Sequence, residues 1–209
     1  MSRPSEDNRA GGRGGRPRDT TVDQRILQAT TSLLTQKGFR GLRVDDVARS
    51  AGVPKSTIYR RWPSLTDLAV AAVDDALGDR QAVISDDPLV DLAQIVVRTH
   101  ALFISSPLAS ALPQLALELV NRPEAAHHYR ERVISPLRNA AIDAVQRAIE
   151  QASWNGPDAE TSVDMMIGTG LYRHNYLGHM PTLEEAFTIA DTVAGRRLPR
   201  PDSSVERRH

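Results

Sequence analysis

Apolar residues recur at helical spacing along most of the chain, and turn residues break the pattern at intervals. Val22, Ile26, Ala29 and Leu33 form one stripe and predict a first helix. Thr21 and Gln24 make a capping box at its start, and Gly38 ends it. Phe39 and Leu42 come next as plugs for a small core. Val44, Val47, Ala48 and Ala51 make a second apolar face, with Asp45 and Asp46 in the first turn, where negative charge suits the helix dipole. Gly52 supplies the left-handed residue that stops this helix, and Pro54 opens the next, where its missing N–H costs nothing. In the two turns from Lys55 to Trp62, Ile58 and Trp62 face the preceding helix, while Lys55, Ser56, Thr57, Tyr59 and Arg60 point outward. Two short helices joined by a glycine-containing turn form a helix-turn-helix, the unit whose second helix enters a DNA major groove.

The remaining pattern is also helical. Ser64 and Asp67 cap a fourth helix with Leu65, Leu68, Ala69 and Ala72 on its apolar face and Gly78 at its end. Asp87-Pro88 is a cap followed by an N1 proline, and Leu89, Leu92, Ile95, Val96, Leu102 and Phe103 continue from it. Ser106-Pro107 restarts the pattern, Leu108, Leu112, Leu115 and Leu119 continue it, and Pro113 is expected to kink or split that helix. Pro123 opens a long segment to about Gln151 with a bend expected at Pro136. Asn155-Gly156-Pro157 reads as a turn, and Thr182 with Glu185 caps a last helix. With no strand pattern and no internal repeat, the expected fold is all-α.

Composition changes this picture little. Forty per cent of the 209 residues are apolar, enough for a core, but with 4% aromatic residues the core must be aliphatic. The absence of cysteine excludes disulfides and thiolate metal sites. No apolar run reaches the roughly 18 residues that span a bilayer, and no signal peptide opens the chain. The expected location is therefore cytoplasmic, with no membrane partner. Net charge is zero, but residues 1–62 carry 13 basic and 6 acidic residues, and residues 63–209 carry 13 and 20. That asymmetry places a nucleic-acid face at the amino end. Residues 1–19, rich in Gly, Arg, Ser and Pro, read as a disordered basic arm, and Arg13, Arg16 and Arg18 suit a minor groove. Residues 197–209 read as a disordered tail.

Gly38-Phe39, Val44 to Ala48, Ala51 to Tyr59, Trp62-Pro63-Ser64 and Asp67-Leu68 resemble, in order and spacing, the DNA-binding domain of the TetR family of transcriptional repressors. Arg43 departs from the family's usual Thr, and Leu65 from a frequent Lys. The resemblance implies a three-helix DNA-binding domain over residues 20–66 and a helical ligand-binding and dimerisation domain over residues 67–196, the fourth helix linking the two. It further implies a homodimer paired through its last two helices, where Gly168 and Gly170 would allow close approach, and a small-molecule effector that releases the protein from double-stranded operator DNA.

A helix entering the groove N-terminus first offers its earliest side chains to bases. Lys55 can donate to guanine, and Ser56 and Thr57 can donate or accept. Tyr59 and Arg61 suit phosphates, Arg60 is either a further DNA contact or part of a solvated face, and Arg43 can put a charge where the family has a hydroxyl. In the family the residues matching Thr57 and Tyr59 contact DNA. The polar groups proposed for a ligand pocket are His100, Gln114, Asn139 and Thr169, with Phe103, Met165, Met166 and Trp154 as apolar lining. The aliphatic composition favours an apolar ligand over a phosphorylated one.

An enzyme is the weaker reading. His127-His128 point in different directions on a helix, and His174 and His179 are five apart, poor spacing for one face. No phosphate loop or nucleophile motif appears. No cofactor and no metal site are expected. The expected function is a sequence-specific DNA-binding repressor released from a palindromic operator by a small molecule. The alternative is a ligand-independent or partner-controlled regulator or activator.

Overall fold

The computed structural model describes residues 20–78, 80, 84–179 and 181–200. The expected N-terminal arm lies outside them, as does the tail beyond residue 200. The described residues form α1 (Thr20–Gly41), α2 (Val44–Ala51), α3 (Lys55–Tyr59), α4 (Leu65–Leu77), α5 (Pro88–Thr99), α6 (Leu112–Leu119), α7 (Pro123–Tyr129), α8 (Ser135–Glu150), α9 (Ala159–Leu177) and α10 (Leu183–Ala194). Two wide π turns, His100–Ile104 and Arg130–Ile134, extend α5 and join α7 to α8. There is no strand among the described residues.

Local chemistry sets most of the boundaries. Gly52 takes the left-handed conformation at the end of α2 (φ 63°, ψ 42°), and Ser64 and Asp67 exchange both bonds of a capping box at the start of α4. Asp87 caps α5, and Thr182 with Glu185 caps α10. At the first helix the expectation needs correction. The helix is already running at Thr20, so Thr21 is inside it, and Leu34 is the fully buried residue, with Leu33 only partly covered. Gly38 does break the helix, with φ 65° and ψ 177°. Leu198 and Arg200, expected within the disordered tail, are packed against α10. Leu198 is buried and its N–H donates to Asp191, while the Arg200 guanidinium pairs with Asp191 at 2.7 Å and lies over the Phe187 ring. Charge and proline content suggested disorder there, but one apolar side chain and one buried-side carboxylate hold the segment.

Proline effects appear in a specific form. Pro113 lies in the first turn of α6, where it starts a helix. Pro136 lies in the first turn of α8, directly after the π turn. In α-helical register residue 136 would donate to the Arg132 carbonyl, and proline has no N–H to give. That carbonyl accepts from the guanidinium of Arg80 instead. Arg80 is itself buried just past α4, where it pairs with Asp74 and donates to the carbonyls of Asp74 and Gly78.

The apolar residues collect in two cores. The first contains Ile26, Leu34, Phe39, Leu42, Val47 and Ile58 of the helix-turn-helix, Val70, Val73 and Leu77 of α4, and Leu115, Leu119, Tyr129 and Val133 beyond. The second holds Leu92, Ile95, Ala144, Val163, Phe187 and Ala190, together with Trp154 and Leu198. A buried carboxylate ties α5 to α8 within the second. Asp91 accepts from the backbone and hydroxyl of Ser85 and from Arg147. Burial alone would raise its pKa, but these donors hold the carboxyl below the usual carboxylate range.

Candidate DNA-reading helix and internal cavity

The helix-turn-helix is braced by arginines that face inward. Arg25 of α1 donates to the carbonyls of Ala51 and Gly52, satisfying the end of α2. Arg61, expected on a phosphate, instead pairs with Asp23 of α1 and donates to the Thr57 carbonyl at 3.2 Å. Its guanidinium therefore fastens the end of the reading helix to the first helix.

The outward face keeps the other expected residues. Lys55, Ser56, Tyr59 and Arg60 are exposed and Thr57 is half-buried. Lys55 forms an ion pair with Asp45, one helix back. Arg43 is exposed and donates to the carbonyls of Arg40 and Leu42, at the mouth of α2. Asp46 is shared by Lys37 and Arg49; the Lys37 hydrogen bond is the larger cause that lowers its pKa. The face thus presents an ammonium, two hydroxyls and a phenol on one short helix, with further guanidinium groups at its edges.

A cavity of about 310 Å³ lies where the two cores meet. Its wall takes Leu112 and Tyr129 from the first core and Leu92, Ile95, Ala141, Val163 and Ala190 from the second. Both π turns contribute: His100, Phe103 and Ile104 from one, Ile134 from the other. Of the residues expected there, His100, Phe103 and Met166 line it. The others do not. Gln114 bridges to the break in α1, where Arg40 N donates to it at 3.3 Å and an added Cβ on Gly38 would lie 2.7 Å from its Oε1. Asn139 and Met165 are exposed, and the Thr169 hydroxyl donates back to the Met165 carbonyl. Trp154 sits in the second core, its indole N–H on the Pro157 carbonyl at 3.0 Å.

Sequence reasoning missed Tyr129, Arg138, His174 and Thr99 on this wall. Arg138 and Met166 line the cavity while their neighbours Asn139 and Met165 do not, and a signal to separate them exists only once the helix phase is known. His100 Nε2 donates to the Pro181 carbonyl at 2.8 Å, and of the histidines weighed for a metal His179 pairs with Glu185.

No helix among the described residues is long and apolar enough to cross a membrane. Along α9, Met165, Tyr172 and Tyr176 are 47%, 56% and 79% exposed, and the two tyrosine rings stack at 5.7 Å. An added Cβ at Gly168 or Gly170 would meet nothing within 4 Å, so neither glycine is needed for packing within the chain.

Residues 26–72 match the model of "Bacterial regulatory proteins, tetR family", and residues 85–193 match "Tetracyclin repressor-like, C-terminal domain". The chain is 31% identical to the uncharacterized HTH-type transcriptional regulator YdeS of Bacillus subtilis over 164 residues, 76% of this chain and 81% of that one. Among solved structures it is similar to the TetR-family regulator SCO0332, at 23% identity with a TM-score of 0.62, covering 85% of this chain and 99% of that one. It also shares its fold with the regulator FadR from Bacillus subtilis in complex with stearoyl-CoA, at 17% identity and TM-score 0.62 over 82% of this chain and 97% of that one. The first of these matched segments holds the braced helix-turn-helix and most of α4, the second holds the helices around the cavity, and the chain is thus a member of the tetR family, a helix-turn-helix transcriptional regulator.

Proposed function

We propose that the protein is a homodimeric, cytoplasmic repressor that binds a near-palindromic operator and leaves it when a small apolar molecule fills the cavity. The observation that carries this reading is the position of the cavity. Tyr129 and Leu112 belong both to its wall and to the core that packs α4, the helix directly after the helix-turn-helix. A molecule that spreads the wall displaces side chains on which α4 rests, and α4 carries the displacement to α3. The coupling needed is modest, typically ~1–3 kcal/mol between two sites. A regulator governed by a protein partner alone has no use for such a cavity. The fold neighbour that holds stearoyl-CoA supports the idea that this architecture accommodates small molecules.

In this reading Lys55, Ser56 and Thr57 meet base edges, and Tyr59, Arg60 and Arg43 meet phosphates. Lys55 leaves Asp45 on binding. The exposed apolar face of α9 is where a second copy packs, with Gly168 admitting its helix closely. Two copies then place their reading helices about one helical turn apart. Selection of bound sequences from random DNA at a fixed, moderate salt concentration tests this. A near-palindrome with that half-site spacing is the expected result. Enrichment of nothing beyond A·T content would refute base reading by α3.

A further inference from the structure

The polar groups on the cavity wall specify what it holds. Arg138 is the one Lys, Arg, Asp or Glu on that wall among the described residues, and its Nε and Nη2 both donate to Asp164, at 3.2 and 2.8 Å. His100 is also engaged. Its Nε2 donates to the Pro181 carbonyl and its Nδ1 lies 3.2 Å from the Ser105 hydroxyl. An anionic ligand would therefore have to share a guanidinium whose charge Asp164 already balances, and burying a charge that is not fully compensated is costly.

Tyr129 differs from both. It is only 8% exposed, and burial pushes its phenol up to about 12, so the hydroxyl keeps its proton and remains a donor. That hydroxyl has no hydrogen-bond partner among the described residues. Tyr129 lines the cavity, so a phenol without an acceptor belongs to its wall. His174 also lines the wall, but its unpartnered Nδ1 is sealed and does not face the space. Around them the wall is apolar, with Leu92, Ile95, Val96, Phe103, Leu137 and Met166 among its residues. A buried donor without an acceptor is an energetic cost that a ligand oxygen would remove.

We infer that the cavity takes an uncharged, predominantly apolar molecule bearing one hydrogen-bond-accepting oxygen, a ketone-type carbonyl, which the Tyr129 hydroxyl receives. The regulatory consequence of this binding rests on the reading of the cavity as the effector site; the binding itself does not.

The test uses two skeletons with three end groups each: 2-acetylnaphthalene, 2-naphthoate and 2-ethylnaphthalene, and 2-decanone, decanoate and decane. Binding to the full-length wild-type protein and to Tyr129→Phe is measured by calorimetry, and release from the selected operator is measured in parallel. In at least one skeleton the ketone should bind wild type at least about tenfold tighter than the carboxylate. Tyr129→Phe should weaken the ketone by about tenfold and leave the hydrocarbon within about twofold. The ranking of ketone against carboxylate on wild type needs no variant, so a Tyr129→Phe protein that fails to fold does not remove the test. A carboxylate that binds as tightly as its ketone overturns the inference, as does failure of both ketones to bind or a Tyr129→Phe protein that binds them normally. A ketone that binds without releasing operator upholds the ligand class and overturns the effector reading. A carboxylate that alone binds and releases operator does the reverse.

Discussion

Arg61→Ala separates a structural arginine from a DNA-contacting one. In the structure Arg61 and Asp23 are 18% and 28% exposed in their side chains, between a surface pair and a buried one. Exposed pairs contribute up to about 1 kcal/mol and breaking a buried pair costs about 3–5 kcal/mol. The Arg61 bond to the Thr57 carbonyl adds to the pair, so the expected loss of unfolding free energy is roughly 2 kcal/mol. Urea unfolding of wild type, Arg61→Ala, Asp23→Ala and the double variant gives the coupling, expected at about 1 kcal/mol. Operator affinity is then measured against salt. Each phosphate contact contributes about 0.9 to the slope of log K against log salt, so two copies losing one contact each would lower it by about 1.8. A structural Arg61 leaves that slope unchanged while stability falls. A slope lowered by nearly 2 with no change in the urea midpoint would refute the inward assignment.

Lys55→Ala should relax preference at one base pair by about 1–3 kcal/mol in sequence selection, whereas Tyr59→Phe should weaken binding uniformly. An unchanged consensus for Lys55→Ala would remove it from the base-reading set. Gly156→Ala would set a Cβ 2.0 Å from the Val193 carbonyl oxygen and 2.9 Å from the Trp154 Nε1. The turn must move to relieve a backbone clash, and a loss of about 2–3 kcal/mol in urea unfolding is expected. Because the Asp91 pKa is lowered in the fold, its contribution is present above the unfolded value of about 3.9 and lost as pH falls through the folded value. The stability gap between wild type and Asp91→Asn should therefore hold from pH 7 to about 4 and narrow below it, and a gap independent of pH would show that Asp91 does not carry it.

The helix-turn-helix was legible because its determinants are local. Gly52, Pro54 and the Ser64–Asp67 box act within a few residues, and the apolar spacing of α2 and α3 sets which side chains face out. The Arg61–Asp23 pair was not legible because the partner is 38 positions away, and no local pattern distinguishes an arginine turned to a neighbouring helix from one turned to solvent. The cavity was legible only in part for a related reason. Adjacent residues on a helix differ by about 100° in direction, so choosing Asn139 over Arg138, and Met165 along with Met166, placed two contacts on the wrong face. Tyr129 passed unnoticed because a tyrosine near a helix end reads as ordinary core until the empty space beside it is known.

The proline in α8 has a mechanical consequence. Its lost hydrogen bond leaves the Arg132 carbonyl to Arg80, and Arg80 also grips Asp74 at the end of α4. One guanidinium is thus the axle on which two helices bear. An α register through residue 136 would leave the Arg132 carbonyl without a helical donor, and sliding α4 along its axis would pull the guanidinium from that carbonyl. Sliding of the two helices past each other is thus opposed at a single residue, and under the proposed effector mechanism rotation of α4 is the motion that this clamp opposes least.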